Sequence, residues 1–470
     1  MGFRKRLSGA ASPGSKSLVM KKASLPDDYL NRYAAGPPWT LKAGNLENIG
    51  QVVVIPAYAE KEHLFATLAS VAANPDSSLE KTLIICVINN KAEATDADKE
   101  NNAQTIALLN ALIHKNTFKN FAPAGDLDRS LSCIAKRPIR LGVVDASSPG
   151  LEIPSRTGGV GMARKIGMDT AFSLLRNSGD RPRLIFSLDA DTLVQPDYLS
   201  SVRQAFSSGK IGTGVVAYEH QMPADETMRR AICRYEIFLR FWVLGLQFAR
   251  SPYAFHSIGS TMVTTTDFYL AVRGMNRREA GEDFYFLNKL AKAGSIHRIH
   301  ETRVYPSARI STRVPFGTGA AVAKMLSGAS PDLCFYDPRI FMILKDWIAL
   351  MMQSFHLSEN QILSQAREID PGLADFLAAR GFLSVWPKIR GNLNDQKTLE
   401  RQFHAWFDGF ETLKLVNYLT KEFYPRVNLF CAVQEMLEIQ GKEYPGMRPC
   451  ENVSFPDDPM EILSYFRALT

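Results

Sequence analysis

A chain of 470 residues is too long for one ordinary core and predicts two or three domains. Its composition, 46% hydrophobic and 22% charged, is that of a soluble globular protein. The net charge of +7 is mostly local, because Arg4, Lys5, Arg6, Lys16, Lys21 and Lys22 precede any acidic residue, so the nearly neutral body argues against a nucleic-acid-binding surface. Six cysteines without CxxC or CxxxC spacing argue for reduced thiols rather than a disulfide frame or a zinc site.

Residues 1–45 read as a flexible basic tail broken at Gly36-Pro37-Pro38, either solubilising or a point of peripheral contact with an anionic membrane. No apolar stretch of signal-peptide length follows the basic start, and Met1-Gly2 lacks the Ser or Thr of a myristoylation signal. The first strand is Gln51–Ile55, stopped by Pro56 and turning through Ala57-Tyr58-Ala59-Glu60 into a helix that runs to about Ala73. A second apolar run, Thr82–Ile88, ends in Asn89-Asn90, and Ala97–His114 has helical periodicity. A third strand, Ile139–Val144, ends in Asp145, before glycine-rich residues and a helix from about Gly161 to Leu175. This alternation predicts a parallel sheet with crossover helices, an α/β fold.

Arg183–Leu188 reads as a buried strand that ends in Asp189-Ala190-Asp191. Two carboxylates one residue apart at a strand end can converge on Mg²⁺ or Mn²⁺, or they can cap the next helix. Ile237–Phe248 is interrupted by Arg240 and too short to span a bilayer, so it reads as a core-facing amphipathic helix. Thr157–Lys165 carries three glycines at a helix start, with Arg164 and Lys165 adding positive charge; it suits a phosphate-bearing ligand or a plain tight turn. Gly281-Glu282-Asp283 opens a helix, where the carboxylates either meet the helix dipole or supply a general base. From about Ala320 onward, Arg339–Phe355, Glu359–Arg367, Leu373–Arg380 and Lys397–Leu419 have helical spacing, which predicts an all-helical C-terminal domain.

In order and spacing these motifs resemble the family 2 glycosyltransferases of GT-A fold. The similarity is carried by Val53–Glu60, Gly159–Gly167, Leu188–Thr192 and Arg273-Gly274-Met275-Asn276 followed by Gly281-Glu282-Asp283. It spans about residues 50–310 and implies a GT-A domain over 46–320, between the tail over 1–45 that composition predicts and the helical domain over 321–470 that periodicity predicts. It implies a Rossmann-like, mostly parallel sheet and a metal-dependent hexosyltransferase, cytoplasmic or peripheral at the inner membrane face. The donor would be a nucleotide-diphospho-sugar, and the acceptor a glycan, a lipid-linked molecule or a small molecule. Pro56, Ala57, Tyr58 and Glu60 would meet the base and ribose, with Asn89, Gly159, Arg164, Lys165 and Asp189 completing the donor site. Asp189 and Asp191 would hold the metal, and Asp283, beside Glu282, would be the base for inverting transfer. Gly259, Ser260 and Gly274 would lie beside the acceptor and donor sugar.

The chain departs from the family pattern in two places. Asn89-Asn90-Lys91 replaces an aspartate pair, and Asp145 could take over part of that role. Ser311-Thr312-Arg313 stand where relatives place a histidine; His297 and His300 read as surface or packing residues, and Arg313, Gly317 and Gly319 as a loop over the diphosphate or an ordinary turn. A retaining transferase and a non-catalytic sugar-nucleotide-binding protein are the alternative functions. A nucleotidyltransferase is disfavoured because no glycine-rich loop with arginine follows the first strand.

Overall fold

A computed structural model describes residues 25–114, 125–156, 158–279, 281–310, 317–326, 334–442 and 459–470. Nine strands form the central sheet: β1 (Leu41–Ala43), β2 (Gln51–Ala57), β3 (Thr82–Asn89), β4 (Arg140–Ala146), β5 (Leu184–Ser187), β6 (Leu193–Val194), β7 (Thr213–Tyr218), β8 (Met262–Thr265) and β9 (Ile296–Tyr305). Their spatial order is β1-β4-β3-β2-β5-β8-β7-β9-β6. β2 and β3 are buried along their whole length, the mark of strands covered on both faces. The helix Val160–Leu175 covers one face of the parallel set, and Lys61–Ala72 and Asp126–Ala135 pack together beneath the other. Gly167 permits the close approach of its helix, since a Cβ there would lie 2.3 Å from Val54 Cγ1 and 2.9 Å from Val87 Cγ2.

β4, β3, β2 and β5 are parallel, and the direction of winding reverses at β2, with β3 and β4 on one side and β5 on the other. A crevice therefore opens beyond the carboxyl ends of β2 and β5, where open α/β sheets bind their ligands. The remaining strands are mixed in direction. β8 is antiparallel to both β5 and β7, β7 and β9 are parallel, and β6 and β1 pair antiparallel at the edges. A short apolar run reports burial but not direction, so these reversals left no mark in the pattern.

The expected tail over 1–45 differs from the structure in its described part. Leu25–Arg32 is a helix, and Leu41–Ala43 pairs with β4. Tyr29, only 2% exposed, places its hydroxyl 2.5 Å from Asp169 Oδ1. Tyr269 Oη donates to the same oxygen at 2.6 Å, Ala35 N to Asp169 Oδ2 at 2.7 Å, and Lys165 Nζ pairs with Asp169 at 3.0 Å. One tyrosine in a polar, glycine-rich stretch carries no periodicity, so its anchoring role was invisible in the sequence.

The C-terminal region is helical, and its core includes Trp347, Phe382, Trp386 and Phe403. The expected single helix over 397–419 is two, Gln396–Trp406 and Gly409–Glu422. Asp408 breaks it by accepting from the N–H groups of Phe410 and Glu411, a helix-start cap in mid-pattern. The helix Glu226–Phe248 joins the two regions: Ile237, Phe241 and Leu244 are fully buried against the C-terminal helices. Its Glu236 accepts from Arg240 Nε at 2.9 Å, Arg467 Nε at 2.8 Å and His220 Nδ1 at 2.9 Å. Burial opposes ionisation of Glu236, but His220, Arg467 and Arg240 together hold its carboxyl well below the usual range. No helix among the described residues is long and apolar enough to cross a membrane.

Removing one partner of a buried ion pair leaves an uncompensated charge, at a cost of about 3–5 kcal/mol. Asp169→Ala strands Lys165 and two tyrosine hydroxyls, so we expect a loss of that order, read as a lower urea midpoint with an unchanged slope.

Candidate active site

Arg164 projects from the first turns of the helix Val160–Leu175 into the crevice and is 2% exposed. Its Nη2 donates to Asp189 Oδ1 at 2.8 Å and its Nε to Glu282 Oε1 at 3.2 Å. Its Nη1 donates to Ser187 Oγ and, at 3.3 Å, to the Gly259 carbonyl. Gly259 leaves the room this requires, since a Cβ there would stand 2.5 Å from Arg164 Nη2. Ser260 Oγ donates to Asp189 Oδ2 at 2.5 Å, so both oxygens of Asp189 are engaged by the protein.

Asp191 is placed differently. Its Oδ2 accepts from Arg309 Nε at 2.8 Å, and Arg309 also bonds Glu60. Burial raises the Asp191 carboxyl above its ordinary range, and Arg309 opposes that shift. On the far side of Arg164, Glu282 and Asp283 open the helix Glu282–Ala293 behind Gly281, which adopts the left-handed conformation at φ 68°. Burial pushes the Asp283 carboxyl up to about 7, with the neighbouring charge of Glu282 adding to the rise. The Phe284 N–H, 2.7 Å from Asp283 Oδ1, acts in the opposite sense. Glu282 is raised as well, by burial first, with Arg164 opposing.

These groups line one cavity of about 1580 Å³, together with Pro56, Tyr58, Glu60, Asn89, Gly159 and Gly259. Asn89 is tied back to the Ala57 carbonyl at 2.9 Å, and Tyr58 Oη donates to Asp98 Oδ2 at 2.9 Å. Four expected site residues are not on the cavity wall. Ala57 is buried at the end of β2, and Ser260 acts behind Asp189. Lys165 points to Asp169, because neighbouring helix positions lie about 100° apart and cannot share a face with Arg164. Gly274 packs against Tyr29, where a Cβ would lie 1.9 Å from the tyrosine oxygen, and its φ of +67° favours glycine.

Asp145 closes a turn by accepting from the N–H groups of Ser147 and Ser148 and does not line the cavity. His297 and His300 are exposed on β9, while Gly317 and Gly319 line the cavity; Arg313 and Thr157 lie outside the described residues. Sequence reading missed Arg309 and an aromatic wall that includes Tyr235, Trp242 and Phe410. An arginine three residues beyond a strand-ending proline has no pattern to mark it. Positions 238, 239 and 242 fall in the stretch 237–248 that was expected to face the core, so their place on the cavity wall was not read.

Among the described residues, no group of three or more His, Cys, Asp or Glu side chains could hold a metal ion. The two carboxylates Asp189 and Asp191 are oxygen donors of the type that Mg²⁺ or Mn²⁺ takes; Arg164 and Ser260 engage the two oxygens of Asp189, and Arg309 engages Asp191 Oδ2.

A carboxyl raised in the folded state contributes stability that is present below its unfolded pKa of about 3.9 and is lost as pH rises through its folded value. For Asp283 that window ends at about 7. Denaturant titrations from pH 4 to 8 should show wild-type stability falling across this interval and Asp283→Asn falling less.

Residues 184–337 match the model of glycosyl transferase family group 2. No curated protein matches the chain. Among solved structures, S. aureus TarS 1-349 in complex with UDP-GlcNAc is 13% identical, with 76% of this chain and 91% of that chain covered at a TM-score of 0.35. The mannosyltransferase PcManGT from Pyrobaculum calidifontis, in complex with GDP-Man and Mn²⁺, is 16% identical, with 82% and 96% covered at a TM-score of 0.34. The matched segment, about a third of the chain, begins at β5 and contains Asp189, Asp191, Glu282 and Asp283, and over it the chain is similar to glycosyl transferase family group 2.

Proposed function

We propose that the chain moves a sugar from a nucleotide-diphospho-sugar to an acceptor hydroxyl, with inversion and with a divalent metal. The observation that carries this reading is the Arg164 bridge, which joins Asp189, after β5, to Glu282 at the start of the helix Glu282–Ala293, in a cavity that Asp283 also lines. The donor nucleotide lies along Pro56, Tyr58 and Asn89, and its diphosphate lies toward Asp191 and Arg309. Mg²⁺ or Mn²⁺ held by Asp191 would supply charge neutralisation for the departing nucleoside diphosphate. Arg309, already paired to Asp191 and Glu60, brings a second positive charge to the same place.

Asp283 accepts the acceptor's proton as the acceptor oxygen bonds to the anomeric carbon and the bond from that carbon to the diphosphate breaks. A base with a pKa of about 7 is poised for this work near neutral pH. Glu282, tied to Arg164, positions Asp283 and raises its basicity through like charge. Arg164 keeps Glu282 and Asp189 fixed. The helical C-terminal region, proposed as a separate domain, closes the acceptor side.

The donor site is tested by calorimetric titration with UDP, GDP and their sugar conjugates, with and without Mn²⁺. One nucleotide should bind in a metal-dependent way, and Asp191→Ala should abolish that dependence. Absence of binding under every condition would end the transferase mechanism proposed here. Asp283→Asn should retain nucleotide binding and lose about 10²–10⁴-fold in turnover. Wild-type kcat should rise with pH through about 7 as Asp283 ionises.

A further inference from the structure

The cavity is larger than the few hundred to about 1000 Å³ of an ordinary small-molecule pocket, and parts of its wall differ in chemistry. Charged groups line it around Arg164, and Lys91, Arg277 and Arg278 line it as well. Another part of its wall is a stripe on the helix Glu226–Phe248: Tyr235, Phe238, Leu239 and Trp242, at positions i, i+3, i+4 and i+7. Tyr336 extends it from the C-terminal region, with its ring 5.9 Å from Phe238 and 5.6 Å from Trp242.

The helix thus has two apolar faces. Ile237, Phe241 and Leu244 are fully buried in the helical core, whereas the four stripe residues are only half-buried and line the cavity. The stripe carries no charge and no amide; its polar groups are the Tyr235 hydroxyl, which bonds Thr318, and the Trp242 indole N–H. The Tyr336 hydroxyl is engaged with Asn417 at 3.3 Å, and Arg426, 4.4 Å from the Tyr336 ring, does not line the cavity.

Resting on the transferase reading above, we infer that the acceptor is amphipathic, with a hydroxyl-bearing head at Asp283 and an apolar body along the stripe. Burying that body removes apolar surface from water on both partners, whereas a wholly polar glycan would lose more hydration there than two polar groups replace. An alkyl chain and an aromatic ring share this chemistry.

Three probes with one head separate the possibilities: methyl, n-octyl and phenyl β-D-glucoside, each titrated below any micelle concentration into the nucleotide-loaded protein. The octyl or the phenyl compound should bind on the order of tenfold tighter than the methyl compound, an effect of about 1.4 kcal/mol. The stronger of the two identifies an alkyl or an aryl body. Phe238→Ser combined with Trp242→Ser should remove most of that difference while nucleotide binding, the check on folding, persists. Leu239→Asn supplies an independent variant should the pair fail to fold, with the same loss expected. Equal affinity for all three probes, tightest binding of the methyl compound, no binding of any probe, or a difference that survives the substitutions would overturn the inference. Nucleotide binding in the same protein would show that the transferase reading stands without it; no nucleotide binding would overturn both.

Discussion

A buried guanidinium organises this molecule's candidate active site. Withdrawing an arginine from water costs several kcal/mol, which only ion pairs and complete hydrogen bonding can offset. Arg164 meets that demand with Asp189, Glu282, Ser187 and the Gly259 carbonyl. Those partners come from the end of β5, the turn before β8 and the start of the helix Glu282–Ala293, segments far apart in the chain. The same pairing sorts the carboxylates. Asp189 and Glu282 are held by Arg164 and Asp191 by Arg309, while Asp283, bonded to the Phe284 N–H, also lines the cavity. Placing Asp283 next to Glu282 in a buried site raises its affinity for a proton, so the constraint that builds the site also tunes its candidate base.

A second buried charge cluster supports another part of the cavity wall. Glu236 gathers Arg240, Arg467 and His220, and Arg467 also reaches Glu219 at 3.0 Å. This fastens the helix Met460–Leu469 to the helix Glu226–Phe248, whose two apolar faces serve the helical core and the cavity. His220 Nε2 lies 3.3 Å from Thr318 Oγ1, which lines the cavity, so the network touches the site itself. The C-terminal region is thus part of the cavity's shape: Phe410 and Leu413 come from its helix Gly409–Glu422, and Tyr336 from the segment before the helix Pro338–Met352.

Much of the fold was legible in sequence where burial is continuous. β2 and β3 read as unbroken apolar runs, and the helices Val160–Leu175 and Pro338–Met352 showed their spacing to within three residues at each end. Strand direction was not legible, since β8 looks the same whether it runs parallel or antiparallel to β5. The helix Leu25–Arg32 was lost in a polar tail because one buried tyrosine anchors it. Of the candidate site, residues at strand ends and helix starts were found, because a ligand crevice is expected there. Lys165 and Gly274 were placed in it by adjacency, and side-chain direction took them elsewhere.

The sequence by itself determined the order of buried strands and amphipathic helices, the carboxylate pairs at Asp189/Asp191 and Glu282/Asp283, and the glycine-rich helix start beside Arg164. These are local properties, written in periodicity, turn residues and spacing. Only the tertiary structure decided which cation each carboxylate pairs with, Arg164 for Asp189 and Glu282 and Arg309 for Asp191, and that one face of the helix Glu226–Phe248 looks into the cavity. The physical reason is that charge pairing and burial depend on distance in space. A guanidinium selects its partners from whichever segments the sheet brings within about 3 Å of it, and chain order carries no record of that choice.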